Sequence, residues 1–201
     1  MTYIRTVSEA EAAGAVADMY EIDRDAFGFL PNFTQAFSLR PEVYRAWRQL
    51  NGAVKESMDL RRYELATVAA ARRLRSSYCT LAHGTVLMEK FLDAEAVRSV
   101  VDDYRSAALE PVELAVMDLA DKVASDATSV SEQDITRLRD LGLRDDEICD
   151  VILAAAARCF FSKALDALGA APDAKYRELD PQLRETLTVG RAIAPSSAES
   201  A

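Results

Sequence analysis

The sequence has few of the residues that most often carry reactive chemistry. Its 201 residues include only three cysteines, one histidine and one tryptophan. The number of cysteines is odd and their spacing is uneven, at Cys79, Cys149 and Cys159, which does not fit a disulfide framework. We therefore expect reduced thiols. A zinc site is disfavoured, because one cysteine and one histidine would leave two ligands to find among carboxylates or buried cysteines.

Positive charge and long apolar runs are also scarce. Lysine and arginine total 24 against 33 aspartate and glutamate residues, which gives a formal net charge of -9. A nonspecific nucleic-acid binder needs clustered basic residues to neutralise phosphates, so this balance argues against one. No stretch approaches the roughly 20 apolar residues of a membrane helix, and the N-terminus lacks the apolar region of a signal peptide. We therefore expect a cytoplasmic protein with no nucleic-acid or membrane partner.

The residues that are present indicate a helical protein. Half of the chain is hydrophobic and 28% is charged, as in soluble globular proteins, and the length suits one domain. Pro31, Pro41 and Pro111 suit the first turns of helices, whereas Gly142 and Gly169 suit helix ends. No segment alternates apolar and polar residues as a strand does. The pattern predicts an all-α fold of about nine helices.

The predicted organisation has three parts. Residues 1–20 form an N-terminal helical segment, residues 21–170 form the main domain, and residues 171–201 form a C-terminal extension whose last ten residues are expected to fray. Ser8 and Glu11 have the spacing of a capping box, so a first helix is expected to follow them. The stretches "ELATVAAAR" and "EICDVILAAAAR" are similar, which indicates either two related helical hairpins or only the general likeness of alanine-rich helices.

The stretch "RLRSSYCTLAHGTVL" places Cys79 four residues before His83. If Ser76 or Ser77 caps a helix, Cys79 lies in its first turn, where free N–H groups and the helix dipole favour a thiolate. His83 then lies one turn further along the same face, close enough to approach the sulfur. This geometry permits a cysteine–histidine dyad. The alternative is that Cys79 packs as a small hydrophobe and His83 is an ordinary helix residue.

Glu64, Cys79 and His83, set in "RRYELATVAAARRLRSSYCTLAHG", resemble the signature of the alkylhydroperoxidase D-like (AhpD-like) branch of the carboxymuconolactone decarboxylase superfamily. That signature runs glutamate, a helix, Cys-x-x-Cys, three residues, histidine. The segments "GFLPNFTQAFSLRPEVYRAW" and "LGLRDDEICDVILAAAARCFFSKALDALG" extend the resemblance to about residues 20–170. The resemblance implies an all-helical homo-oligomer that uses no metal and no organic cofactor.

The chain departs from the family's pattern at one position. Ser76 stands where the family has its first cysteine. In the two-cysteine members that pair closes a disulfide after a peroxide is reduced, and the cysteine nearer the histidine attacks the substrate. Cys79 matches the attacking cysteine. Its resolving partner is missing, because a serine cannot form a disulfide.

Carried over to this chain, the resemblance implies a thiol-dependent peroxidase. Glu64 accepts a proton, directly or through His83 and water, so that Cys79 attacks hydrogen peroxide or an organic hydroperoxide and becomes a sulfenic acid. An external thiol or dithiol then restores the thiol. Taken alone, Glu64 also fits an exposed helix carboxylate paired with Arg61 or Arg62.

Two other classes of function remain open at this point. In a cofactor-free lyase or isomerase of the carboxymuconolactone decarboxylase type, Glu64 and His83 do acid–base work and the thiol is incidental. In a non-enzymatic protein, the cysteine senses redox conditions within a helical oligomer. The presence of both Cys79 and His83 favours thiol chemistry. The serine at position 76 weakens that interpretation.

We expect the other two cysteines and a group of aromatic residues to have packing roles. Cys149 and Cys159 are expected to be core thiols, and Cys159 can resolve Cys79 only if the last long helix packs beside the active helix. Six aromatic residues are expected to form core and subunit contacts rather than a substrate pocket near Cys79. They are Phe27, Phe29, Phe33, Phe37, Tyr44 and Trp47.

Overall fold

The computed structural model describes residues 2–196 and contains no β-strand in that range, which confirms the all-α prediction. It has ten α-helices, and three short 3-10 turns at Glu9–Glu11, Ala127–Ser129 and Ala174–Glu178. The predicted fraying of the last ten residues falls partly on residues 197–201, which lie outside the described range. The α-helices are α1 (Ala15–Phe27), α2 (Asn32–Ala36), α3 (Pro41–Ser57), α4 (Leu60–Arg73), α5 (Ser77–Lys90), α6 (Ala94–Asp103), α7 (Pro111–Asp126), α8 (Glu132–Asp140), α9 (Asp145–Leu168) and α10 (Pro181–Leu187).

The first α-helix begins later than the capping-box spacing suggests. The Glu11 carboxylate does accept hydrogen bonds from the backbone N–H of Ser8 at 3.2 Å and from its hydroxyl at 2.8 Å. The capped segment is a single 3-10 turn, however, and α1 starts only at Ala15. Gly14 separates the two with a φ of 54°, which residues with a β-carbon rarely adopt. Helix α1 therefore runs through residue 20, where we placed the end of the N-terminal segment.

Helix α4 lies at the centre of the molecule. All of its residues from Tyr63 to Ala71 are buried, and it packs against α5, α7 and α9. Its alanines are good helix formers, and their small side chains allow the neighbouring helices to approach closely. Because Glu64 is part of this buried stretch, the packing of α4 carries a carboxylate into the interior.

The connection from α4 to α5 is tight. Arg75 joins the two helices with a φ of 56°, which is uncommon for a residue other than glycine. The C-terminal chain passes directly over this turn, where the N–H of Gly190 donates to the Ser77 hydroxyl at 2.8 Å. A β-carbon on Gly190 would lie 2.0 Å from the carbonyl oxygen of Arg75, so only glycine permits this approach. The start of α5 is thus covered.

The C-terminal extension packs against the main domain, and Ile193 still contacts the hydrophobic core. Leu183 and Leu187 of α10 are buried, and α10 contacts both α5 and α6. Burying two leucine side chains contributes about 3 to 6 kcal/mol of transfer free energy. The extension therefore supports the helix that carries Cys79 and His83.

None of the helices in residues 2–196 is long and apolar enough to cross a membrane.

Candidate active site

Cys79 lies in the first turn of α5. Ser76 occupies the N-cap position, so Cys79 is the third residue of the helix, and it is 1% exposed. The Ser76 hydroxyl makes no capping hydrogen bond, so Ser76 begins the helix through its backbone alone. The free N–H groups and the dipole of α5 place partial positive charge near the Cys79 sulfur.

Two side chains of α9 contact that sulfur. Arg158 Nη1 lies 3.5 Å and Ser162 Oγ lies 3.1 Å from Cys79 Sγ, and both groups donate hydrogen bonds to it. Because Arg158 and Ser162 are four residues apart, they lie on the same face of the helix. The sequence interpretation missed both residues. The available signal was an arginine within the apolar run "AAAARCFFSKAL".

Within residues 2–196, the Cys79 sulfur is the hydrogen-bond partner of Arg158 that can carry a balancing negative charge, and the Glu64 carboxylate attracts Arg158 without a hydrogen bond. Arg158 is 2% exposed, and its second contact, from Nη2 to Tyr63 Oη at 3.3 Å, is with a phenol. A buried charge is costly unless it is paired. A thiolate at Cys79 supplies that pairing, whereas a thiol does not. Arg158 thus holds its positive charge directly against the Cys79 sulfur.

Glu64 and His83 form a buried pair. His83 Nδ1 lies 2.5 Å from Glu64 Oε2, and Lys55 Nζ lies 3.7 Å from Glu64 Oε1. Glu64 is fully buried, so the alternative of an exposed carboxylate is wrong. The two arginines of that alternative bind other helices instead: Arg61 pairs with Glu113 of α7, and Arg62 pairs with Glu147 of α9.

The protonation of this pair depends on its surroundings. Burial lowers the pKa of His83, and the charge of Arg158 acts in the same direction. Burial works to raise the pKa of Glu64, but the attraction of His83, Lys55 and Arg158 outweighs it, so that pKa is lowered. Near neutral pH a neutral imidazole therefore donates its Nδ1–H to a carboxylate. His83 Nε2 is then free to accept a proton.

A cavity of about 520 Å³ opens beside these groups. Cys79, His83 and Glu64 all line it, together with Arg158. The structure thus brings three of the four predicted site residues to one cavity. Ser76, the fourth, is buried at the helix start and is not part of the lining.

Aromatic side chains form much of the cavity wall. Four of the six aromatic residues that we assigned to core and subunit contacts lie there: Phe27, Phe33, Tyr44 and Trp47. Phe37 stacks on Phe161 with ring centres 5.7 Å apart and is buried, as expected. The structure therefore gives four of these residues, contributed by α1, α2 and α3, a place in the pocket wall in addition to their packing.

The other two cysteines have different environments. Cys149 is exposed, so its assignment as a core thiol is wrong. The neighbouring Ile148 and Val151 are the buried residues of that turn of α9, which leaves Cys149 on the outer side. Cys159 is half-buried, and burial raises its pKa. Helix α9 presents Arg158 to Cys79, and the next residue, Cys159, is rotated from it by about 100°.

The surroundings of Cys79 also bear on metal binding. Within residues 2–196 there is no group of three or more histidine, cysteine, aspartate or glutamate residues that could hold a metal ion. Cys79 is instead contacted by a guanidinium and a hydroxyl. A guanidinium repels a metal cation, so Arg158 works against metal binding at this sulfur.

Fold and site together define an all-helical protein with a buried cysteine at a helix start and a histidine–glutamate pair in the same cavity. Residues 41–122, which include Glu64, Cys79 and His83, match the model of the carboxymuconolactone decarboxylase family. A search of curated protein sequences found no match.

Solved structures share the fold over nearly the whole chain. An uncharacterised peroxidase-related protein from Ralstonia eutropha JMP134, described as an alkylhydroperoxidase AhpD core, is 21% identical with a TM-score of 0.78, over 94% of this chain and 98% of its own. A peroxidase-related protein from Silicibacter sp. TM1040 is 21% identical with a TM-score of 0.76, over 89% and 98%. The debrominase Bmp8 in complex with 2,3,4-tribromopyrrole is 12% identical with a TM-score of 0.71, over 93% and 96%. Residues 41–122 thus match the carboxymuconolactone decarboxylase family, and the solved structures show that the chain shares the fold of proteins described as AhpD-like or peroxidase-related.

Proposed function

We propose that the protein is a cofactor-free thiol peroxidase in which Cys79 reduces hydrogen peroxide or an organic hydroperoxide. The observation that carries this proposal is the contact between Cys79 and the buried guanidinium of Arg158. A thiolate is the nucleophilic form of cysteine, and buried positive charge next to the sulfur is the usual means of producing it near neutral pH. The cavity gives a substrate access to a sulfur that is otherwise shielded.

The reaction requires two events at the cavity. The Cys79 thiolate attacks the terminal oxygen of a hydroperoxide, the O–O bond breaks, and the sulfur becomes a sulfenic acid while the substrate leaves as an alkoxide. The alkoxide takes up a proton and becomes an alcohol. His83 and Glu64 line the same cavity and form a hydrogen-bonded pair that can move this proton, with water as the link to the leaving oxygen.

The sulfenic acid needs an external reductant in this chain. A thiol condenses with it to a mixed disulfide and releases water, and a second thiol or the other half of a dithiol then displaces the Cys79 thiolate. Ser76 cannot take part, because it has no thiol. A small thiol or a partner protein with a dithiol is the partner that this scheme requires.

The proposal is tested by trapping the sulfenic acid. After brief exposure of the native protein to stoichiometric hydrogen peroxide with dimedone present, we expect mass spectrometry to find the adduct on Cys79. Cys149 provides an internal control, since it is exposed and lies nine residues before the buried Arg158 on α9. An adduct on Cys149 with none on Cys79 would mean that exposure rather than activation governs oxidation, and the proposal would fall.

The proton relay has its own prediction. Glu64→Gln and His83→Gln are expected to slow sulfenic-acid formation by about 10- to 100-fold, because each variant keeps a hydrogen-bonding side chain but loses proton transfer. Stopped-flow measurement of the oxidation rate tests this, and thermal unfolding shows that each variant is folded. If both variants kept the parent rate, the relay would be wrong and the lyase or redox-sensing alternatives would gain support.

A lyase or isomerase remains the second candidate, and one observation favours it. The Glu64–His83 pair is a complete acid–base unit that does not need a thiol. With carboxymuconolactone as the probe, this alternative requires Cys79→Ala to retain decarboxylation and Glu64→Gln to lose it. The peroxidase proposal expects no decarboxylation by either.

We also propose that the protein is a homo-oligomer that pairs through the outer face of α3 and α9. These helices pack side by side, and each presents exposed apolar residues spaced alternately three and four apart, the spacing of helices that interlock. A second copy related by twofold symmetry would present the same two helices, giving a four-helix contact. The residues are Val43, Ala46, Leu50 and Ala53 on α3, and Leu153, Ala156 and Phe160 on α9.

The oligomer prediction concerns Leu50, which is 52% exposed on this face. Leu50→Glu is expected to halve the mass measured by light scattering, because it places a charge in an apolar contact. Ile22→Glu is the matched control, since Ile22 is 54% exposed on α1, outside the face. An unchanged mass in Leu50→Glu, or an equal loss in Ile22→Glu, would show that the contact lies elsewhere.

A further inference from the structure

The cavity beside Cys79 is far larger than hydrogen peroxide requires. Its volume of about 520 Å³ lies within the range of pockets that enclose organic ligands. Phe33, Trp47 and Phe161 form part of its wall, and the rings of Trp47 and Phe161 stack with centres 3.8 Å apart. An apolar or aromatic substituent gains favourable contacts with such a wall, whereas hydrogen peroxide alone leaves it unoccupied.

Two lysines give the opening of the cavity a positive charge. Lys55 and Lys175 both line the cavity and are both exposed, which places their ammonium groups at the rim. Lys175 Nζ lies above the rings of Phe29, at 4.8 Å, and Tyr176, at 5.2 Å. Its charge attracts the buried Asp173 carboxyl, but that carboxyl is hydrogen-bonded to Asn32 and Tyr78, and within residues 2–196 no carboxylate lies at ion-pair distance from Lys175. Lys175 therefore has capacity to bind an anion.

The charge of the rim contrasts with that of the whole protein. The chain carries a net charge of -9, so the two lysines at this opening do not simply reflect a basic surface. Glu64 partly offsets Lys55 from inside the cavity, and Glu89 is the exposed acidic residue of the lining. The local arrangement thus has an apolar interior, a reactive sulfur at its buried end and net positive charge at its mouth.

We infer that the substrate is an organic hydroperoxide with an apolar or aromatic body and a carboxylate, which binds Lys175 and Lys55 at the rim. This inference rests on the proposed peroxidase function, because it assigns the reactive end of the substrate to Cys79. The body lies against the aromatic wall, and the carboxylate stays near solvent. Lys175 and Lys55 then select among hydroperoxides and do not take part in the chemistry.

Binding is tested without any turnover, because Trp47 is the only tryptophan and lines the cavity. Quenching of its fluorescence by 4-isopropylbenzoate should saturate. Lys175→Met should weaken benzoate binding about fivefold, the effect of one exposed ion pair, and Glu89→Gln should strengthen it. The uncharged 4-isopropylbenzamide should bind the native protein about 25-fold more weakly than the benzoate, because it loses the ion pairs with both lysines. Lys90→Met is the matched control, since Lys90 is exposed on α5 but does not line the cavity.

Single-turnover kinetics then test selection between substrates. The rate of Cys79 oxidation by a carboxylated aromatic hydroperoxide, divided by the rate with neutral cumene hydroperoxide, should fall in Lys175→Met and stay at the native value in Lys90→Met. Equal binding of benzoate and benzamide, or equal ratios in native protein and Lys175→Met, would overturn this inference. If no hydroperoxide oxidised Cys79, the proposed function would fail instead, and the fluorescence titration would still decide whether the cavity binds carboxylates.

Discussion

Replacing Arg158 with methionine is expected to slow the oxidation of Cys79 by hydroperoxides at pH 7 by about 100-fold. The guanidinium donates to the sulfur from a site that is 2% exposed, so little solvent screens it. A hydrogen bond to a charged group contributes about 1.5–3 kcal/mol. A loss near the upper end of that range corresponds to about two powers of ten in rate.

The choice of methionine separates charge from packing. Methionine fills most of the space of the arginine stem and carries no charge. Arg158→Lys is the matched variant, because it keeps the positive charge but loses the planar guanidinium that spans Cys79 and Tyr63. We expect Arg158→Lys to recover part of the rate. Alkylation of Cys79 by iodoacetamide at pH 7 should show the same order of rates as oxidation, because both reactions use the thiolate.

Three measurements decide this prediction. Stopped-flow oxidation gives the rate, peptide mapping shows that the reacting residue is Cys79, and thermal unfolding shows that the variants are folded. If Arg158→Met were folded and reacted as fast as the native protein, the cation would not be the source of activation. The proposed function would then lose the observation that carries it.

The contribution of Arg158 also shows what the sequence could and could not reveal. Cys79 and His83 share one helical face because they are four residues apart, so their proximity could be predicted from the sequence. Arg158 is 79 positions from Cys79, and the two meet only because α9 packs across the interior. Nothing in local spacing indicates such a contact. The only local signal was a charged residue in an apolar helix, which has to be paired once it is buried.

The burial of Glu64 illustrates a second limit. Its immediate neighbours Arg61 and Arg62 made an exposed ion pair the reasonable interpretation from residues alone. In the structure these arginines reach carboxylates 52 and 85 positions away, and Glu64 faces the interior with His83. The all-α class could be predicted because the residues that start and end helices act locally, whatever the partners of each helix in the core. The orientation of a helix within the core depends instead on its tertiary partners.

The N-terminal turn shows the same distinction on a smaller scale. Ser8 and Glu11 do pair as their spacing predicts, because a capping box involves only four consecutive residues. The start of α1 was not predictable from the box, since Gly14 adopts a positive φ and separates the capped turn from the helix. A capping signal therefore locates a turn reliably, whereas the length of the helix after it depends on the residues that come next.

Ser76→Cys is expected to give an all-or-none result, namely a disulfide between position 76 and Cys79 after peroxide treatment. Ser76 is the N-cap residue of α5 and Cys79 is the third residue of the helix, so the two side chains lie one turn apart. Cysteine is close to serine in size, and the site is already buried, so little repacking is required. The sulfenic acid at Cys79 then reacts with the new thiol, forms the disulfide and releases water.

Ser77→Cys is the matched control for this variant. Ser77 is also buried at the start of α5, but it is two residues from Cys79, and residues two apart do not face each other on a helix. Non-reducing peptide mapping should find the disulfide in Ser76→Cys and only sulfenic acid or a mixed disulfide in Ser77→Cys and in the native protein. With a dithiol as reductant, turnover of peroxide should rise in Ser76→Cys alone, because the intramolecular disulfide is the form that a dithiol reduces by exchange. If Ser76→Cys were folded and oxidised at Cys79 but did not close, the start of α5 would lack the geometry of the two-cysteine family members. The serine at position 76 would then reflect a different backbone rather than the loss of one sulfur atom.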